Sequence, residues 1–331
     1  MNIKKIGLTA LAASLVSISS ANAGEITASG AASMTVENYS GENRDGGVAY
    51  SMADSVTLSG SGELDNGITA SVSFELDSDN PGTSSYDNKS VTISSESFGT
   101  LTLAGHGGSS AVSAIDATAA GDIFDTFDTK VGGASASSAE TATSTGDAAM
   151  LTTAAGNNSF MYTLPSLVDG LSVSASYSPQ GSNDESSSAF AGTYTGVEGL
   201  SISYGVGDNN SNEGTALNAD VTTMKASYAF GPVTVAYSDH EYDSATAARD
   251  QEVKSASISY TVSDAISISY GTETFDSGEQ TTDAEFEKLS GSFTSGGMTV
   301  TLVSAEAQNI SYTTAAREDQ DYWGLTVGFA F

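Results

Sequence analysis

The chain has 331 residues, no cysteine, a net charge of −31 and only 15 % charged residues. Without thiols, no disulfide framework staples the fold, and two histidines alone make a poor zinc site. Such acidity excludes nucleic acid as a partner, because phosphate binding needs a basic surface.

Met1 to Lys5 is a short basic segment, and Ile6 to Ile18 is mostly apolar but too short to span a bilayer. Ala21-Asn22-Ala23 supplies a small-x-small cleavage site. Together they form a secretory signal peptide over residues 1–23, leaving a mature chain of residues 24–331. No later stretch approaches the roughly 20 apolar residues of a membrane helix.

Beyond residue 23 the chain reads as short strands in which apolar residues alternate with Ser, Thr or Gly. The expected strands are 25–38, 49–64, 68–77, 89–95, 100–105, 158–164, 170–178, 188–195, 200–206, 222–230, 233–239, 252–262, 265–271, 285–294, 298–304 and 320–331. Asp65-Asn66-Gly67 is a hairpin turn signal. Leu171 to Tyr177, Leu200 to Tyr204, Val233 to Tyr237 and Ile266 to Tyr270 nearly repeat one another, each with aliphatics and a final Tyr on one face. An even strand count suits a closed antiparallel barrel whose ends lie on one side.

Short turns alternate with longer, acidic connections carrying Asp239, Glu241 and Asp243, then Asp276, Glu279 and Asp283, then Glu306, Glu318 and Asp319. That asymmetry is the pattern of outer-membrane barrels. Tyr177, Tyr204, Tyr237 and Tyr270 stand where strands enter the long loops; Tyr194, Phe230 and Tyr260 stand near the short turns. Two aromatic rings of this kind match the girdles at membrane interfaces, although tyrosine also suits any half-buried strand. A soluble sandwich would expose Lys, Glu and Arg on its second face. Here that face is Ser, Thr and Gly, which fits a water-filled lumen inside an all-β, transmembrane, up-and-down barrel.

The connection from His106 to Asn157 dwarfs the others. It carries Asp116, Asp122, Asp125, Asp128, Glu140 and Asp147 against one basic residue, Lys130. A long structureless loop is either functional or disordered. Ile123, Phe124 and Phe127 argue for docking on the barrel wall. Asp77-Ser78-Asp79 resembles the start of an EF-hand, but Asn88 stands where the bidentate Glu is required. Looser Ca²⁺ or Mg²⁺ binding by acidic loops, bridging lipopolysaccharide phosphates, stays open; no cofactor is required. No spacing singles out a Ser-His-Asp triad, and His106 and His240 read as loop residues. An adhesive barrel without an open pore is the alternative to a channel.

In the last segment Trp323, Leu325, Val327, Phe329 and Phe331 occupy alternate positions, so all five share one face. An apolar strand of this kind is expected to close a barrel in lipid.

The signal peptide, the sixteen-strand layout, the Gly62 to Ala70 hairpin, the oversized connection after the fifth strand and the terminal Phe331 together resemble a general diffusion porin of the Gram-negative outer membrane, of the alphaproteobacterial kind. The resemblance covers the whole chain and implies a homotrimer in outer-membrane lipid and lipopolysaccharide. It also implies passive flow of small hydrophilic solutes and a C-terminal strand read by the barrel-assembly machinery. In that family the third long loop folds inward, and residues 106–157 occupy the matching place; the Pro-Glu-Phe-Gly-Gly motif of enterobacterial porins is absent. Asp116, Asp122, Asp125 and Asp128 then form the acidic side of a constriction. Lys225, between Met224 and Ala226, and Lys288, before Leu289, form its basic side. With so few basic residues, the pore is expected to prefer cations or neutral solutes.

Overall fold

The structure, a computed structural model, describes residues 26–41, 44–45, 47–64, 66–77, 88–112, 115, 118–128, 150–153, 157–179, 186–210, 218–245, 250–278, 280–310, 312 and 319–331. The expected signal peptide, Asp116, Glu279 and Glu318 lie outside the described residues.

Alternation of small hydroxyls with aliphatics produces strands in chain order: β1 (Thr27–Gly41), β2 (Arg44–Asp45), β3 (Ala49–Glu63), β4 (Thr69–Asp77), β5 (Asn88–Ser95), β6 (Gly99–His106), β7 (Ser159–Thr163), β8 (Leu171–Ser178), β9 (Ser187–Tyr194), β10 (Leu200–Asn209), β11 (Ala219–Phe230), β12 (Val233–Ser244), β13 (Gln251–Ser263), β14 (Ile266–Ser277), β15 (Ala284–Ser295), β16 (Met298–Gln308) and β17 (Gln320–Ala330). Among the described residues one short helix, α1 (Asp125–Asp128), lies in the long loop. The two-residue β2 folds back on β1; the sixteen other strands pair antiparallel with their sequence neighbours, and β17 returns to β1. The sheet is therefore a closed up-and-down barrel, and each expected strand is present.

Closure runs from Ala31 opposite Ala330 to Gly41 opposite Gln320. Beyond it, Gly30 N–H donates to the Phe331 carbonyl at 2.8 Å and Phe331 N–H returns a bond to Gly30 at 3.0 Å. A Cβ on Gly30 would meet the Phe331 ring at 2.6 Å, so only glycine lets the ring lie there. With no edge left, strand backbone groups pair within the ladder, which hydrocarbon demands. At the β3–β4 turn Gly67 takes φ +76°, a left-handed conformation that costs glycine little.

Lumen hydroxyls also bond across strands, with Thr35 to Thr326 at 2.9 Å and Ser269 to Ser290 at 2.7 Å. The opposite face is apolar and points outward. Tyr177, Tyr204, Tyr237 and Tyr270 are exposed toward the long-loop end, and Tyr194, Phe230 and Tyr260 toward the turn end. Trp323, Leu325, Val327 and Phe329 share that outer face, with Phe331 exposed beyond them.

One expectation needs correction. Strands expected to stop at residues 206, 239, 271 and 304 run on to Asn209, Ser244, Ser277 and Gln308. Asp239, Glu241, Asp243, Asp276 and Glu306 are therefore strand residues, not loop residues. The ladder continues because the polarity of its faces inverts above the tyrosines. On β12 Asp239, Glu241 and Asp243 now point out, while Ser238, His240 and Tyr242 are buried inside. On β15 Glu285 and Glu287 are exposed while Phe286 is buried; on β16 Ala305 and Ala307 are buried around exposed Glu306. Wet carboxylates outside and the docked loop inside preserve the alternation with its sign reversed.

Candidate functional site

The described part of the long loop lies inside the barrel and passes from strand to strand along the wall. Its amides and carbonyls are met by short wall side chains. Ser176 on β8 accepts the Ala111 N–H at 2.9 Å. Lys225 on β11 donates to the Thr118 carbonyl at 3.1 Å. Ser238 on β12 and Ser255 on β13 accept the N–H groups of Ala119 and Ala120 at 2.8 and 2.9 Å. Ser257 donates to the Ala119 carbonyl at 2.7 Å, and Lys288 on β15 donates to the Gly121 carbonyl at 2.8 Å. Glu273 on β14, 1 % exposed, accepts from Ile123 and Phe124 at 2.9 and 3.1 Å. Finally Tyr39 on β1 donates to the Thr126 carbonyl at 2.9 Å. Buried backbone donors and acceptors must find partners, and this wall supplies them in sequence.

Apolar packing fixes the tip. Ile123, Phe124 and Phe127 are buried against Val253, Phe275, Phe286, Ala305, Ala307 and Ile310. Phe124 meets Phe275 edge-on with ring centres 5.1 Å apart, and Phe127 lies 5.9 Å from Phe286. Edge-on aromatic pairs add to burial about 0.5–1.5 kcal/mol each. The expected docking of this trio on the wall is what the structure contains.

The returning limb is held as firmly. Gln251 accepts the Leu151 N–H at 2.8 Å, and Asn209 donates to the Thr152 carbonyl at 2.7 Å. His240 Nε2 donates to the Leu151 carbonyl at 2.6 Å. His240 is thus no loop residue: it sits in β12, 0 % exposed, behind the loop.

Two expected basic residues, Lys225 and Lys288, do face inward, but each spends its ammonium on a loop carbonyl. Among the expected acids, Asp122 follows Gly121 at the bend, with φ +48°. Its N–H donates to Thr118 Oγ1, and that hydroxyl donates to the Asp122 carboxylate, both at 2.6 Å. Asp125, the first residue of α1, is exposed, and Asp128 ends that helix. The wall across from the loop carries Thr35, Ser51, Ser55, Thr57, Ser73, Glu75, Ser90 and Thr92 on its inner face. Among the described residues, Lys89 and Lys254 face outward, Lys89 beside Phe74 and Lys254 2.6 Å from Glu252.

Glu273 and the serines Ser176, Ser238, Ser255 and Ser257 were not singled out by sequence. The serines are indistinguishable from any lumen hydroxyl until the loop lies on them. Glu273 offered one signal: it is an acid on the parity opposite to Tyr270.

Outside the barrel, oxygens of Asp239, Glu241 and Glu252 lie within 4.8 Å of one another. The EF-hand-like opening at Asp77 runs into residues 78–87, outside the described residues.

The family model for Gram-negative porins matches residues 7–294. No curated protein matches the chain. Among solved structures, the anion-selective porin of Comamonas acidovorans is similar over 93 % of this chain and 99 % of its own, with a TM-score of 0.67 and 16 % identity. OmpF of Salmonella typhi, in complex with daunomycin, matches over 93 % of this chain and 98 % of its own at TM-score 0.66 and 12 % identity. A mutant of the Rh. blastica porin matches over 93 % of this chain and 100 % of its own at TM-score 0.62 and 14 % identity. At such identities these likenesses speak for the fold, and the family match adds the rest. The chain belongs to the Gram-negative porin family and is an outer-membrane β-barrel channel, not an enzyme.

Proposed function

We propose that the barrel passes small hydrophilic solutes and ions by passive diffusion, with cations and neutral solutes favoured over anions. Support for the charge preference comes from the loop's acids: Asp125 is exposed and Asp122 only half-buried, whereas among the described residues the inward lysines, Lys225 and Lys288, are each drawn onto a loop carbonyl. Two unit charges 4 Å apart interact by about 1 kcal/mol in water and about 4 kcal/mol near a protein surface. Even the lower figure enriches cations several-fold at a narrow ring. The test is the reversal potential of single channels in planar bilayers under a salt gradient. The Asp122→Asn/Asp125→Asn protein should lose most of its cation preference, and an unchanged potential would refute the assignment.

The same reading includes a homotrimer in outer-membrane lipid and lipopolysaccharide, delivered by a cleaved signal peptide and inserted through recognition of Trp323, Leu325, Val327, Phe329 and Phe331. Loosely held Ca²⁺ or Mg²⁺ belongs at Asp239, Glu241 and Glu252, whose oxygens converge. Calorimetric titration with Ca²⁺ giving no heat beyond buffer would dismiss that ion.

A further inference from the structure

Each of the four near-repeated segments ends in an outward tyrosine followed by a small residue: Ser178 after Tyr177, Gly205 after Tyr204, Ser238 after Tyr237 and Gly271 after Tyr270. Alternation turns these followers inward, and all four are buried. The loop lies on three of them. Ser238 holds the Ala119 N–H. A Cβ on Gly205 would come 2.9 Å from Ile115 Cδ1 and 3.2 Å from Val112 Cγ2, and one on Gly271 would come 2.6 Å from Ala120 Cβ and 3.2 Å from Ala120 Cα.

The two glycine contacts differ in kind. At Gly205 the neighbours are ends of rotatable side chains, which can turn aside. At Gly271 the neighbour is a methyl fixed to the loop backbone, and that backbone cannot slip sideways. Ala120 N–H is bonded to Ser255, the Ala119 carbonyl to Ser257 and the Gly121 carbonyl to Lys288. Bulk added at Gly271 therefore displaces residues 119–122 as one piece, away from the wall and into the lumen.

We propose that Gly271, a wall residue outside the loop, is a size-determining residue of the pore: its missing side chain sets how closely the Ala120 to Asp122 segment lies against β14. The inference rests on the channel reading above. It assigns pore width to a wall residue that follows a girdle tyrosine.

Single-channel steps in planar bilayers test it, with barrel content checked by circular dichroism. Gly271→Ala should give a smaller step than the wild type, and Gly271→Ala/Ala120→Gly should restore it by removing the opposing methyl. Ala120→Val adds bulk at the same contact from the loop side and should also shrink the step, which covers a Gly271 variant that does not fold. A conducting wild type with an unchanged step in both single variants overturns this inference alone, as does a reduced step that the double variant leaves unrestored. A silent wild type overturns the channel reading and this inference with it.

Discussion

The carboxylate of Glu273, on the barrel wall, accepts the backbone N–H of Ile123, on the loop, at 2.9 Å. It takes the Phe124 N–H as well, so one buried acid holds the start of α1 from inside the barrel. A hydrogen bond to a charged group contributes about 1.5–3 kcal/mol. Glu273→Leu leaves two buried amides unmet. Amide exchange at Ile123 and Phe124 should quicken by roughly a hundredfold, about 3 kcal/mol. Strand amides should keep their protection, because the closed ladder does not depend on this acid.

Lys225 reaches from the inner wall to the loop, donating to the Thr118 carbonyl at 3.1 Å. Lys225→Met should free the Thr118 carbonyl and loosen the loop by about 1.5–3 kcal/mol, visible as noisier open-channel current. The bonded ammonium keeps its positive charge, so the reversal potential should also shift toward cations. Unchanged noise would show that Lys225 does not hold the loop.

Leu302 and Thr301 are adjacent on β16 and point to opposite faces. Leu302 stands opposite Leu325, between the levels of Trp323 and Phe329, while Thr301 stands opposite Thr326. Lysine on the lipid face costs about 2–4 kcal/mol near the bilayer midplane. Leu302→Lys should destabilise the barrel by that amount in urea unfolding from lipid vesicles, and Thr301→Lys should cost far less. Equal costs would place the lumen on the wrong face.

Tyr312, in the connection before β17, is 5 % exposed above the phenylalanine cluster. Burial pushes its phenol up to about 12. With the folded pKa above the ordinary value near 10, the contact's contribution is complete below about pH 10 and is lost as pH rises through about 12. Ultraviolet titration of the wild type minus Tyr312→Phe should show one phenol ionising near pH 12. Ionisation near 10 would place that ring in water.

Much of the wall was legible in the sequence because a strand in lipid has no other solution. Alternation at Ile266 to Tyr270 and at Trp323 to Phe331 names the outer face, and turn residues such as Asn66-Gly67 mark the reversals. The upper ends of β12, β14 and β16 escape a reading of the sequence because their added residues turn acidic at Glu241, Asp243, Asp276 and Glu306. Apolar alternation stops there, and a reading based on it stops too.

Strand number, pairing order and the lipid-facing parity follow from local alternation, since each depends on residues two apart or joined by a short turn. The course of the long loop does not. Whether Lys288 meets an ion or the Gly121 carbonyl, and whether Glu273 is wet or buried beneath Ile123, depends on segments some 150 residues apart that meet only once the cylinder has closed. Those meetings, decided by the unmet amides and carbonyls of a chain lying on a wall, set the course of the loop inside the barrel.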